Sequence, residues 1–183
     1  KIVTKKAESY PNITPFLGGP EQAQDFIEPS TVDTVYVFFG ALNTTADLER
    51  AVAGMASVLK PGGRVVATFV NKWYVFDIMW NILTLRPKKA VARLKKVWGG
   101  YSPTRFLASR CYSSRQVHAA FSKHLVRKRR LGFCITHPAW YRHHWAPEGS
   151  LRSRWLYAFD GLLQWTPAWN AGEYSLYLYE KPL

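Results

Sequence analysis

The chain has 183 residues, 48% apolar and 15% aromatic, with 25 Lys or Arg against 12 Asp or Glu and a formal net charge of +13. This excludes a disordered polar tract and suits one domain with a sizeable core. No apolar run is long enough for a membrane span; the best candidate, 73–85, is short and carries Asp77 and Asn81. The two cysteines, Cys111 and Cys134, have no metal-ligand spacing, so two free thiols are expected. No signal-peptide pattern is read, so the expected location is cytoplasmic, with peripheral attachment to a membrane as the alternative.

Residues 1–10 read as the tail of a helix and 12–17 as a strand. A Gly18-Gly19-Pro20 linker and a short helical turn near 21–27 follow. The strand formers Val35 to Phe39 place a strand at 34–39. A helix at 46–59 has Asp47 near its start and carries Leu48, Val52, Met55, Ala56 and Leu59 toward one side. Lys60-Pro61-Gly62-Gly63 stops it, because proline cannot continue a helix and glycine accepts a positive φ. A buried strand at 64–70 completes a strand-helix-strand unit, which predicts parallel pairing with a right-handed crossover. Helices are expected at 73–84 and 87–97, and a loop at 99–104. Ser113 or Ser114 caps a helix running to about Lys123. A strand at 125–134, an irregular stretch at 137–150, a helix at 151–164 and a strand at 173–180 close the chain.

An acid opening a strand, the FGALN loop, a helix, LKPGG and a second strand together resemble the second half of a class I S-adenosylmethionine-dependent methyltransferase. Cys111-Tyr112-Ser113-Ser114 before a helix, Leu131-Gly132-Phe133 and the terminal strand match the tail of such enzymes. The segment 73–110 is the least typical. The resemblance implies an α/β, Rossmann-like methyltransferase sheet, mostly parallel with an antiparallel terminal strand. No GxGxG occurs, so the sheet is expected to lack its first two strands. A single partial domain over 1–183 is implied, with a basic helical lid insertion at about 73–110, in a chain truncated at its amino terminus rather than a pseudoenzyme. In the family's strand order, 3-2-1-4-5-7-6, losing strands 1 and 2 bares the strand at 34–39. An open apolar edge predicts poor solubility or pairing with another chain.

The implied activity is methyl transfer from S-adenosyl-L-methionine to a small or lipophilic acceptor, with weak or no cofactor binding by these residues alone. The alternatives are an RNA methyltransferase and a non-catalytic binding module. FGALN stands where base-amino methyltransferases carry an NPPY-type motif, which argues against the first.

Open α/β sheets bind ligands at the carboxyl ends of their strands. By resemblance, Gly19, Pro20 and Glu21 stand where the family has a GDAE-like adenine segment, although its usual Asp is absent; Glu21 reads equally as a helix-start acid. In the loop after the strand at 34–39, Gly40 would let the backbone approach the cofactor, with Phe39 and Leu42 as apolar walls. Trp73 and Tyr74 either wall the substrate or belong to the core. His137, Tyr141 and His143 are the candidates for a catalytic base. No metal is expected, because carboxylates are missing nearby. From 78 to 146 there is no Asp or Glu. The basic segment 86–130 therefore suits an anionic membrane surface, with nucleic acid as the weaker alternative. Val91, Leu94 and Trp98 can share one face of a basic helix, read first as a solvated lid over the active site.

Overall fold

The computed structural model describes residues 2–98 and 108–183. A short helix α1 (Ile2–Ala7) leads into an extended stretch and a 3-10 turn, Pro20–Asp25. The central unit is β1 (Val32–Val37), α2 (Leu48–Val58) and β2 (Leu59–Val70). Asp47 caps α2 by accepting a hydrogen bond from the Arg50 amide at 3.1 Å. At its other end Leu59 is already extended, and the backbone passes Pro61 to Gly62 at φ +76°. β1 and β2 pair in parallel, with Val35 opposite Val65 and Val37 opposite Ala67, as the strand-helix-strand pattern predicts.

The chain continues through α3 (Val75–Leu83), α4 (Pro87–Ala90) and α5 (Ser114–Phe121), then β3 (Val126–Phe133), α6 (Leu151–Leu163) and β4 (Tyr174–Glu180). Ser113 and Gln116 form a reciprocal capping box at the start of α5. The sheet order is β1-β2-β4-β3, with β4 antiparallel to both of its neighbours. Three strands therefore run one way and the last runs against them, in agreement with the expected mixed sheet.

One face of the sheet builds the core. Val65, Ala67 and Phe69 of β2 and Tyr177 and Tyr179 of β4 are fully buried against Val52 and Met55 of α2 and Phe121 of α5. Phe121 stacks on Tyr179 at 4.4 Å between centroids, and Phe69 meets Tyr112, Phe121 and Tyr177 edge-on. On the outer strand β1, Tyr36 is exposed.

Two expectations are corrected. Residues 12–17 are not a strand: Pro11 and Pro15 remove donors from the ladder, Ile13, Phe16 and Leu17 are exposed, and Phe16 stacks on Phe26 instead. The sheet thus lacks the expected third strand as well. The basic helix at 87–97 is also absent. It breaks into α4 and a 3-10 turn, Ala92–Leu94, which leaves Val91 exposed and turns Arg93 inward. The loop expected at 99–104 lies outside the described residues.

Candidate functional site

The carboxyl ends of β1 and β2 open onto one edge of the sheet, and two buried asparagines organise that edge. After β1, Phe39 (φ +56°) and Gly40 (φ +69°) both take left-handed backbone, which turns the loop sharply into a 3-10 turn, Ala41–Thr44. Asn43, at the end of FGALN, is fully buried. Its amide nitrogen donates to the carbonyls of Val70 (3.2 Å) and Arg110 (2.7 Å), and its side-chain oxygen accepts from the Val70 amide at 2.9 Å. Asn71, the first residue beyond β2, repeats the device. It donates to the Gly172 carbonyl at 2.8 Å and accepts from the Ser175 hydroxyl at 2.9 Å. The two amides tie the β1 loop, the end of β2, the 108–112 segment and the start of β4 into one frame. Each satisfies backbone groups that the ending ladder would leave orphaned.

Beside this frame lies a cavity of about 400 Å³, lined in part by Trp80, Trp98, Trp140, Tyr141, Arg142 and Glu173. Its floor is a buried ion pair, Arg93 Nη2 to Glu173 Oε1 at 3.3 Å, with both side chains almost wholly enclosed. The Arg93 guanidinium is sandwiched over Tyr74 (4.9 Å) and Trp98 (5.0 Å). Burial opposes the Arg93 charge, but the surrounding anions, Glu173 foremost, outweigh it and keep the group protonated. Burial pushes the Glu173 carboxyl up from its ordinary value, and Arg93 only partly offsets that. Arg142 pairs with Asp77 at 3.0 Å and sits among the rings of Phe76, Trp80, Tyr141 and Trp145, each 5.4–5.7 Å away. Three buried polar atoms of this region have no hydrogen-bond partner among the described residues: Glu173 Oε2, Arg142 Nη1 and the Tyr74 hydroxyl. Buried polar groups without a partner are uncommon and call for a physical explanation.

The residues singled out from sequence divide. Tyr141 lines the cavity, and burial together with Glu173 raises its phenol above the ordinary value, so at neutral pH it is a hydrogen-bond donor and not a base. His137 is spent on structure: its ring nitrogens meet the Pro138 carbonyl and the Ser153 hydroxyl, each at 3.0 Å. His143 is exposed, with Nδ1 against the Trp140 carbonyl. Tyr74 is core, fully buried and stacked on Phe76, whereas Trp73 is half-exposed. Leu42 is buried in the core and forms no open wall, while Phe39 projects its ring into solvent. Gly19 caps, and Pro20 and Glu21 open, the 3-10 turn that packs on α2. There the Pro20 carbonyl lies so close to Gly54 that a Cβ would clash with it. Glu21 lines a depression with Arg50, Ser57, His124 and Lys181, a group that includes none of Phe39, Gly40 and Leu42.

Sequence reading missed Arg93, Glu173, Arg142 and the asparagine pair. One signal was present: a basic segment without acids must draw any buried counter-charge from outside it, and Asp77 and Glu173 both lie outside that segment. The cysteines carry a separate consequence. Burial pushes both thiols up to about 12. In the folded protein they should react with a disulfide reagent at pH 8 at least about a hundredfold more slowly than in urea. The raised values also carry a sign. The unfolded chain releases thiol protons near the ordinary value of 9.0 while the folded chain keeps them, so stability is whole below that pH and declines between it and about 12. Urea melts at pH 7 and pH 10 check this.

No protein-family model and no curated protein matches the sequence. Solved structures do. A protein of Listeria monocytogenes assigned as an S-adenosylmethionine-dependent methyltransferase superposes with a TM-score of 0.60 at 12% identity, over 100% of this chain and 77% of its own. The cyclase SpnF gives 0.54 at 16% identity, over 100% and 62%. Geranyl diphosphate C-methyltransferase from Streptomyces coelicolor A3(2) gives 0.53 at 12% identity, over 97% and 59%. The chain therefore spans less than two thirds of the length of the last two. Similarity at this identity speaks for architecture, and a cyclase among the matches shows that the architecture alone does not fix a reaction. With β1 parallel to β2 and β4 reversed between β2 and β3, the chain carries the class I S-adenosylmethionine-dependent methyltransferase fold.

Proposed function

We propose that the protein transfers a methyl group from S-adenosyl-L-methionine to a small, lipophilic acceptor that carries a polar or anionic group. The observation that carries this reading is the aromatic cavity beside the strand ends, with the charged side chains of Glu173 and Arg142 among its lining residues. The named substrate of the Streptomyces relative, geranyl diphosphate, is of this chemical kind. Arg86 and Lys89 also line the cavity and have no ion-pair partner among the described residues, which suits an anionic handle on the acceptor. In this reading α3, α4 and the turn Ala92–Leu94 form the lid over the acceptor.

The fit to the cofactor is partial. The loop 38–43 offers the exposed Phe39 ring and a left-handed backbone at Gly40 as one wall. The carboxyl-edge loops 38–46 and 71–76 contain no Asp or Glu for ribose hydroxyls, and the sequence contains no GxGxG. The cofactor supplies an activated methyl group, so the protein's task is placement. Trp80, Trp98 and Trp140 hold the apolar body of the acceptor and exclude water, and Tyr141 donates a hydrogen bond.

The test is transfer of labelled methyl by the full-length protein to a panel of prenyl and aryl phosphates, carboxylates and alcohols. Transfer to the anionic members first supports the reading, and no transfer to any member refutes it. Trp80→Ala is expected to raise KM for the acceptor about tenfold, with a smaller change in kcat, because stacking is ground-state binding.

A further inference from the structure

Helix α6 is mounted inside out. It is fastened to the body through polar residues. Asp160, buried, accepts from the amides of Ile135 (3.0 Å), Thr136 (2.7 Å) and His137 (3.3 Å) and from the Thr136 hydroxyl. Gln164 exchanges two hydrogen bonds with the Gly132 backbone, at 2.7 and 2.8 Å. Most of its apolar residues face away, while Leu156 and Leu163 are half-buried. Leu151, Trp155, Ala158 and Leu162 follow the spacing i, i+4, i+7, i+11 along one stripe, and Trp165, 90% exposed, extends it past the helix end. Tyr157 and Phe159 flank the stripe and are also exposed. An ordinary surface helix buries its apolar stripe and shows its polar one, so this arrangement calls for an apolar partner.

The charge beside the stripe indicates which partner. Arg152 and Arg154 stand on α6, and its one acid, Asp160, is consumed inside. Trp165 shares a groove of about 530 Å³ with Arg127, Lys128, Arg129 and Arg130 of the edge strand β3. Of these, Lys128 pairs with Glu180 and Arg130 lies over Trp169, while Arg127 and Arg129 have no acidic partner among the described residues. A stripe of Leu and Trp bordered by cations of a single sign is the pattern of an element lying in the plane of a bilayer interface. Its rings and aliphatic chains enter the headgroup boundary and its arginines meet lipid phosphates. Stacked nucleic-acid bases would use the aromatic rings but leave Leu151 and Leu162 in water. No helix among the described residues is long and apolar enough to cross a membrane, so the contact is with the surface.

We infer that α6 and the basic edge of β3 form one docking face for an anionic bilayer surface. The basic contribution thus comes from the β3 end of the expected 86–130 segment, since Arg93 is buried. This inference is independent of the methyl-transfer reading and survives that reading's failure. The test is co-sedimentation of the full-length protein with vesicles of phosphatidylcholine alone and with 30% phosphatidylglycerol, followed by tryptophan emission. The expected result is binding to the anionic vesicles with a blue shift, falling steeply with salt. W155S/L162S, which alters only exposed side chains, should abolish the blue shift and most of the binding. R127Q/R129Q should weaken binding about twenty-five-fold, at about fivefold per cation. Equal binding to neutral vesicles, no binding, or full binding by W155S/L162S overturns the inference. A dimer that W155S/L162S dissociates, without vesicle binding, overturns it in favour of a second copy. Binding of poly(U) that this variant weakens, without vesicle binding, overturns it in favour of nucleic acid.

Discussion

Arg93→Ala is expected to destabilise the protein by about 3–5 kcal/mol, because it leaves the Glu173 carboxylate buried without its counter-charge. For a domain of this size that lowers the melting temperature by roughly 10 °C or more. The loss is not the worth of the ion pair. Bringing both charges out of water is itself costly, so Arg93→Met combined with Glu173→Leu should recover most of the stability while emptying the cavity floor of charge. Arg93→Lys should recover only part, since an ammonium lacks the planar face that lies over Tyr74 and Trp98. Thermal melts of the three variants and the parent decide the matter. If Arg93→Ala melts within a degree of the parent, the buried pair is not what holds this region together.

The second large effect is expected at Asn43. Asn43→Asp keeps the size but replaces the amide donor with an oxygen facing the carbonyls of Val70 and Arg110. Two acceptors lose their donor and a charge is placed where nothing solvates it, so a loss of about 3 kcal/mol or more is expected at pH 7. The sign of its pH dependence is fixed. The buried carboxyl has a raised pKa, and its protonated form can donate one of the lost bonds, so the variant should regain stability as pH falls. Asn43→Ala should be destabilised at every pH alike. Urea melts at pH 5 and pH 8 separate the two. Because Asn43 also anchors the turn through Phe39 and Gly40, both variants should loosen that loop, and exchange of the Gly40 to Asn43 amides should speed up.

The parts of the fold legible in the sequence are those carried by local chemistry. The apolar run into FGALN, the apolar face of α2 and the LKPGG turn each have a short-range cause. They lie close together in the chain, so the parallel unit could be read directly. The expected strand at 12–17 failed because its apolar letters have no neighbouring strand to pair with, and its prolines remove donors. The basic helix failed because a helix pattern assumes that charges face water. The attraction between Arg93 and Glu173, 80 residues apart, overrides that assumption.

The candidate site was hardly legible for the same reason. Its aromatic and charged groups come from α3, the turns after α4, the 140–142 segment and the start of β4, and nothing in their spacing announces that they meet. Histidines drew notice as chemical residues, yet His137 is a structural strut and His143 is a surface side chain. The working polar groups were two asparagines at strand ends and an arginine in a segment read as solvated.

Read alone, the chain determined its strand-helix-strand core, the capped starts of α2 and α5 and the presence of a last strand, because propensity, capping and alternation act over a few residues; the reversal of that strand was implied only by the family resemblance. Only the tertiary structure decided which charges are buried, where the cavity opens and that α6 turns its tryptophans outward. Those outcomes depend on desolvation and on partners distant in sequence, which no local pattern encodes.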